Sequence, residues 1–109
     1  MSKRKGNRLE HKSIKLLESW GYSCTRSAAS LGIFDIIAIS PYDVKCVQVK
    51  ANRWPGREER ERLVDFQVKH RNVMVEIWRW DDYARNPKIR FIGASDQWVE
   101  DDQETNKAD

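Results

Sequence analysis

Phe34-Asp35-Ile36-Ile37-Ala38-Ile39, Ser40-Pro41-Tyr42-Asp43 and Val44-Lys45-Cys46-Val47-Gln48-Val49-Lys50-Ala51 follow one another without a break. The first block is apolar apart from Asp35, the pattern of a strand covered on both faces. The second carries a proline among short polar residues, the chemistry of a turn. The third is a β-branched return, so the three blocks predict an antiparallel pair of strands. Side chains alternate along a strand, which puts residues 35, 37 and 39 on one face and 46, 48 and 50 on one face of the neighbour. Asp35 opens its strand while Gln48 and Lys50 close theirs, and all three gather at one edge of the sheet. A carboxylate at the mouth of a buried strand costs desolvation energy unless it is paired or bound to a cation. Asp35 therefore requires a partner.

Upstream, Leu9, Ile14, Leu16, Leu17 and Trp20 form a helical stripe from Gly6 to Trp20, with Glu10 in the same helix and Gly21 as its terminator. Tyr22 to Arg26 reads as a short strand, and residues 27–32 form a small-residue loop that contains Ser30. Downstream, Asn52 to Gly56 is a loop. Arg57 to His70 is a highly charged second helix whose narrow apolar face is Leu63, Phe66 and Val68. In the strand Val73 to Trp80, Val73, Val75 and Ile77 face one way and Met74, Glu76, Trp78 and Trp80 the other. The face with Trp78 and Trp80 would be a dimer surface if nothing else covered it. Lys88 to Ile92 is a last short strand. The order predicts an α/β fold: a central mixed sheet flanked by helices, with an antiparallel meander and a helical crossover delivering a parallel strand. Residues 1–95 make one domain, and the acidic, apolar-poor segment 96–109 is expected to be a mostly disordered tail.

The 109 residues carry a formal charge of +3, but residues 100–109 hold Glu100, Asp101, Asp102, Glu104 and Asp109 against Lys107 alone. The body is therefore clearly basic. Positive residues flank the Asp35 region on both sides in sequence, a distribution suited to a polyanion whose phosphates release counterions on binding. Lys5, Arg8, Arg26, Arg53 and Arg57 are the candidate DNA contacts. Trp54, between the last two, could stack on an unpaired base, contact a partner subunit or simply close the core. Cys24 and Cys46 fall in strands without zinc spacing and read as reduced, buried side chains. No apolar run approaches the length of a membrane span and no signal core is present, so the expected location is cytoplasmic.

Two carboxylates, an amide oxygen and an ammonium, drawn from a helix and a hairpin, are the groups that hold a hard divalent cation and a water against a phosphate. Gly6-x-x-x-Glu10, Arg26-Ser27-Ala28-Ala29-Ser30, Asp35-Ile36-Ile37-Ala38 and Gln48-Val49-Lys50 resemble the PD-(D/E)XK nuclease superfamily, and within it the small archaeal-type Holliday junction resolvases and their phage and prophage relatives. The resemblance covers roughly residues 6–51. It implies a restriction-endonuclease-like core, Mg²⁺ or Mn²⁺ as cofactor, DNA as substrate and a homodimer. It assigns catalytic positions to Glu10, Asp35, Gln48 and Lys50, with Glu10, Asp35 and Gln48 at the metal, and matches Ser30 to a loop serine of the resolvases. Two positions depart from the pattern. Phe34 stands for the usual proline, and Gln48 for the usual Glu or Asp, which keeps an oxygen ligand but removes a full negative charge. The implied activity is hydrolysis of phosphodiester bonds in branched DNA. A restriction-type or homing endonuclease would carry the same motifs, and a non-catalytic DNA-binding module the same basic surface.

Overall fold

A computed structural model describes residues 3–27 and 32–92, with residues 3–6 as backbone only. Ser30, the side chain of Lys5 and the segment 96–109 lie outside the described residues. Helix α1 spans Lys3–Ser19, followed by strands β1 (Ser23–Arg26), β2 (Ile36–Ile39) and β3 (Val44–Ala51), helix α2 (Arg57–Lys69), and strands β4 (Met74–Trp80) and β5 (Lys88–Phe91). The sheet order is β1-β2-β3-β4-β5, antiparallel except for the β3–β4 pair, which is parallel across the α2 crossover. The expected meander and crossover are both present. Strand β2 begins at Ile36 rather than Phe34, so Asp35 precedes the strand instead of opening it. Its carbonyl nonetheless prolongs the β1–β2 ladder, accepting from Ser27 N at 2.8 Å, while its N–H donates to Val47 O at 2.9 Å one residue out of the β2–β3 register.

Period-two alternation divides the core into two layers. Leu9 and Leu17 of α1 pack with Ile36, Ala38, Val47, Trp78 and Trp80 on one face of the sheet. Leu63 of α2 packs with Phe34, Cys46, Val75, Ile77 and Ile92 on the other. Trp78 and Trp80 are 0% and 3% exposed, which removes them as a dimer surface: α1 covers that face. The covering is also polar, since Trp80 Nε1 donates to Ser13 Oγ at 2.9 Å and that hydroxyl donates to Leu9 O at 2.8 Å. Cys24 packs on the α1 side and Cys46 on the α2 side, so the sheet separates the two free thiols. Burial pushes the Cys46 thiol up to about 11.

Gly21, at φ +97°, ends α1 in the left-handed region where a side chain would be strained, letting Tyr22 N return to Leu17 O at 3.1 Å. The apolar face of α2 differs from the expected one. Val64 joins Leu63 and Phe66 in the core, while Val68 does not, and His70 caps the helix rather than extending it. Gln67 takes the remaining buried position. Its Nε2 donates to His70 O and Val73 O at 3.1 and 2.9 Å, and its Oε1 accepts from Val75 N at 3.1 Å, which fixes the connection from α2 to β4.

Candidate active site

The ladder pairs Ile36 with Val47, and the Asp35 N–H also donates to Val47 O at 2.9 Å, so two residues oppose one in a β-bulge and the regular register ends before Gln48. Asp35 Oδ2 accepts the Val49 N–H at 2.8 Å, so the end of β3 orients the carboxylate. Burial raises the Asp35 carboxyl above the usual carboxylate range. The Val49 N–H and the Lys50 charge pull it down, but Glu10, close enough to share a hydrogen bond with it, adds to the rise. Asp35, Glu10 and Lys50 thus lie within one electrostatic neighbourhood.

Glu10 is not free within it. Its Oε1 accepts from Arg26 Nε at 3.0 Å and Nη2 at 2.8 Å, and the same Nη2 donates to Asn7 Oδ1 at 2.6 Å. Arg26, expected as a DNA contact, is exposed but spends its donors on α1. Lys50 is also held: its Nζ lies 2.8 Å from Glu59 Oε1, in the first turn of α2. Glu59 was missed by sequence reasoning. An acidic first turn is visible there, but Glu58, Glu59 and Glu61 are equivalent candidates until the rotation of α2 is known.

Gln48 is 4% exposed, and its Nε2 donates to Ile33 O at 3.2 Å. Its Oε1 is buried with no hydrogen-bond partner among the described residues. Exchanging the amide's two ends would set an oxygen against the Ile33 carbonyl, so the donor must stay there and the acceptor stays unsatisfied. Such an orphan costs about 1–3 kcal/mol. A cation or a water donor would relieve it, and this amide oxygen and the Asp35 carboxylate, which accepts the N–H of the next residue Val49, are the kind of oxygen ligands a hard divalent ion takes. The set is weak in charge. Among the described residues no three His, Cys, Asp or Glu side chains group as metal ligands, and the two carboxylates stand beside two cations.

The remaining expected contacts are spread around this region. Arg8 and Arg53 are exposed, and Arg57 is exposed with Glu61 as an ion-pair partner at 3.3 Å. Trp54 is half-buried against the α2-side core, with the Arg90 and Arg79 guanidiniums 4.4 and 5.4 Å from its ring centroid. It closes the core and seats two cations. His11 and His70 are both exposed, as their charged surroundings predict, and His70 lies against the Phe66 ring.

Fold and sheet order place the chain in the restriction-endonuclease-like α/β class. Among solved structures it is similar to Archaeoglobus fulgidus Hjc, described as a Holliday junction resolvase from an archaeal hyperthermophile. The TM-score is 0.63 at 22% sequence identity, covering 84% of this chain and 74% of that one. No family model matches the sequence. Among the described residues no helix is long and apolar enough to cross a membrane.

Proposed function

We propose that this protein is a divalent-metal-dependent endonuclease of the PD-(D/E)XK type that hydrolyses phosphodiester bonds in branched DNA. The observation that carries the reading is the buried, unsatisfied Gln48 Oε1 next in sequence to Val49, whose N–H holds the Asp35 carboxylate. The likeness in fold to a protein described as a Holliday junction resolvase supports it. Asp35 and Gln48 would hold Mg²⁺ or Mn²⁺, with Glu10 reaching in directly or through water. When bound, the ion supplies Lewis-acid charge at the phosphate and a more acidic water.

The chain's own groups do the rest. The Val49 N–H fixes the Asp35 carboxylate, and Glu59 holds the Lys50 ammonium at the end of β3. Lys50 then orients the attacking water or offsets charge as its oxygen bonds to phosphorus and the P–O ester bond breaks. Arg26, Arg8, Arg53 and Lys5 contact flanking phosphates, Ser30 supplies a loop contact, and two copies act as a homodimer. Arg26 can turn from Glu10 to a phosphate, so DNA arrival and release of Glu10 are one exchange of partners. The phosphate would also complete a ligand set short of negative charge, so cation binding is expected to tighten when DNA is present.

The test is incubation of the protein with four-way junction, flap, linear duplex and single-stranded DNA in Mg²⁺, Mn²⁺ or EDTA. Metal-dependent cleavage of the branched substrates, lost in Asp35→Ala and Lys50→Ala, is the expected result. Binding without cleavage of any substrate would favour a second reading, a DNA-binding module. That reading draws on the neutral Gln48 and on the two ion pairs that occupy Glu10 and Lys50. Sedimentation of the full chain with and without junction tests the homodimer.

Gln48→Glu discriminates further. The new carboxylate restores charge for a cation but sets an oxygen against the Ile33 carbonyl, which costs stability in the metal-free state. The variant is expected to melt lower than wild type in EDTA and to show a larger rise in melting temperature with Mn²⁺. A smaller rise than wild type would remove Gln48 from the ligand set.

A further inference from the structure

We propose that a second nucleic-acid-backbone site lies on the flank of α1 that faces β4 and the β4–β5 connection. Lys12, Lys15, Leu16 and Ser19 of α1, Trp80 at the end of β4 and Arg85 in the connection line an open groove of about 310 Å³ there. Every charged side chain in that lining is a cation. Lys12 and Lys15 stand three apart on the helix, where like charges repel unless a polyanion neutralises them. The Lys12 ammonium sits 4.5 Å from the centroid of the Trp80 ring, and Ser13 holds that indole from the other side.

Two carboxylates after β4 have partners outside the groove. Asp81 bridges Arg79 at 2.7 Å and Lys88 at 3.2 Å, and Asp82 engages Asn52. Among the described residues no carboxylate lines the groove, which is a positive surface with an apolar floor. Trp80 is 3% exposed, too deep to serve as a stacking platform for a base, so the recognition is of phosphates and not of bases. Glu10 lies on the other flank of the same helix, turned to Arg26 of β1 and to Asp35. One helix thus separates the candidate active site from a second cationic surface. A branched DNA, with backbone running along more than one direction from the cut, can occupy both. The choice of DNA as the polyanion rests on the nuclease reading; the groove itself does not.

The experiment measures binding of the full chain to four-way junction and linear duplex by fluorescence anisotropy in EDTA across a salt series, for wild type and for Lys12→Gln/Lys15→Gln/Arg85→Gln. Polyglutamate is included as a competitor, and cleavage in Mg²⁺ is measured in parallel. The groove predicts weaker junction binding for the triple variant and a slope of log affinity against log salt shallower by about two to three, near one for each phosphate no longer neutralised. Melting temperature monitors folding, and Arg85→Gln alone, in an exposed connection, should show a slope change of about one. An unchanged slope with intact wild-type binding overturns the groove and leaves the nuclease reading standing. A groove-dependent slope without cleavage overturns the nuclease and leaves the groove. Loss of polyglutamate competition with no change in DNA binding would assign the groove to an acidic peptide and overturn the proposal, as would a wild-type protein that binds no DNA.

Discussion

Asp35→Asn is expected to melt at a higher temperature than wild type in EDTA at neutral pH, and to cleave DNA on the order of a thousandfold more slowly in Mg²⁺. The two effects share a cause. Asp35 is held in a position that burial makes unfavourable for a charge, and its pKa is raised in the folded chain. Asparagine keeps an oxygen for the Val49 N–H and discards the charge. The sign of the pH dependence follows from linkage. At acidic pH the carboxyl is protonated in both folded and unfolded chains and contributes no difference. As pH rises through the ordinary carboxylate pKa the unfolded chain ionises first, and the wild type loses stability until pH exceeds the folded value. The stability advantage of Asp35→Asn should therefore grow across the range above the ordinary carboxylate pKa and then level off. Thermal melts in EDTA over a pH series measure it. An advantage that is the same at every pH would show that Asp35 is not its source.

Glu76→Ala should cost about 3–5 kcal/mol, the scale for stranding one member of a buried ion pair, and a large fraction of the roughly 5–15 kcal/mol that holds a domain of this size together. Glu76 is 1% exposed, pairs with Lys45, which is 8% exposed, and accepts Trp78 Nε1 at 2.9 Å. Alanine leaves an ammonium and an indole N–H without their acceptor in the α1-side layer. Burial pulls the Lys45 pKa down, but the hydrogen bond and charge of Glu76 outweigh it and the net shift is upward. The pair's contribution is thus complete below lysine's ordinary pKa and is lost as pH rises through the higher folded value. Lys45→Met/Glu76→Gln removes both charges while keeping an oxygen for Trp78, and should recover much of the loss. Urea unfolding of the single and double variants tests this. A single-variant cost under about 1 kcal/mol would mean that the pair is solvated rather than buried.

Local chemistry made most of the fold legible. Pro41 within a polar turn, Gly21 after an apolar stripe and strict alternation along Val73 to Trp80 each fixed an element to within a few residues, because turn, cap and period are properties of adjacent residues. Contacts across elements were not legible. That Lys50 meets Glu59, Glu10 meets Arg26 and Lys45 meets Glu76 depends on how each helix is rotated and where each strand is registered. The same limit left open what covers the Trp78 and Trp80 face: hydrophobicity shows that a face must be covered, and only the docking of α1 says by what. Gln48 was legible as an oxygen donor but not as an orphan, since that status depends on Ile33 occupying its amide nitrogen.

The two outermost strands, β1 and β5, are only four residues each, whereas the central parallel pair β3 and β4 runs to eight and seven. Short borders bearing Arg26 on one side and Lys88 and Arg90 on the other are poor templates for zipping molecules together through backbone hydrogen bonds. The hazard sits in the middle of the sheet instead. Undocking of either helix would lay bare long apolar ribbons such as Val44–Ala51, so precipitation on heating should track loss of helical signal rather than fraying at the borders.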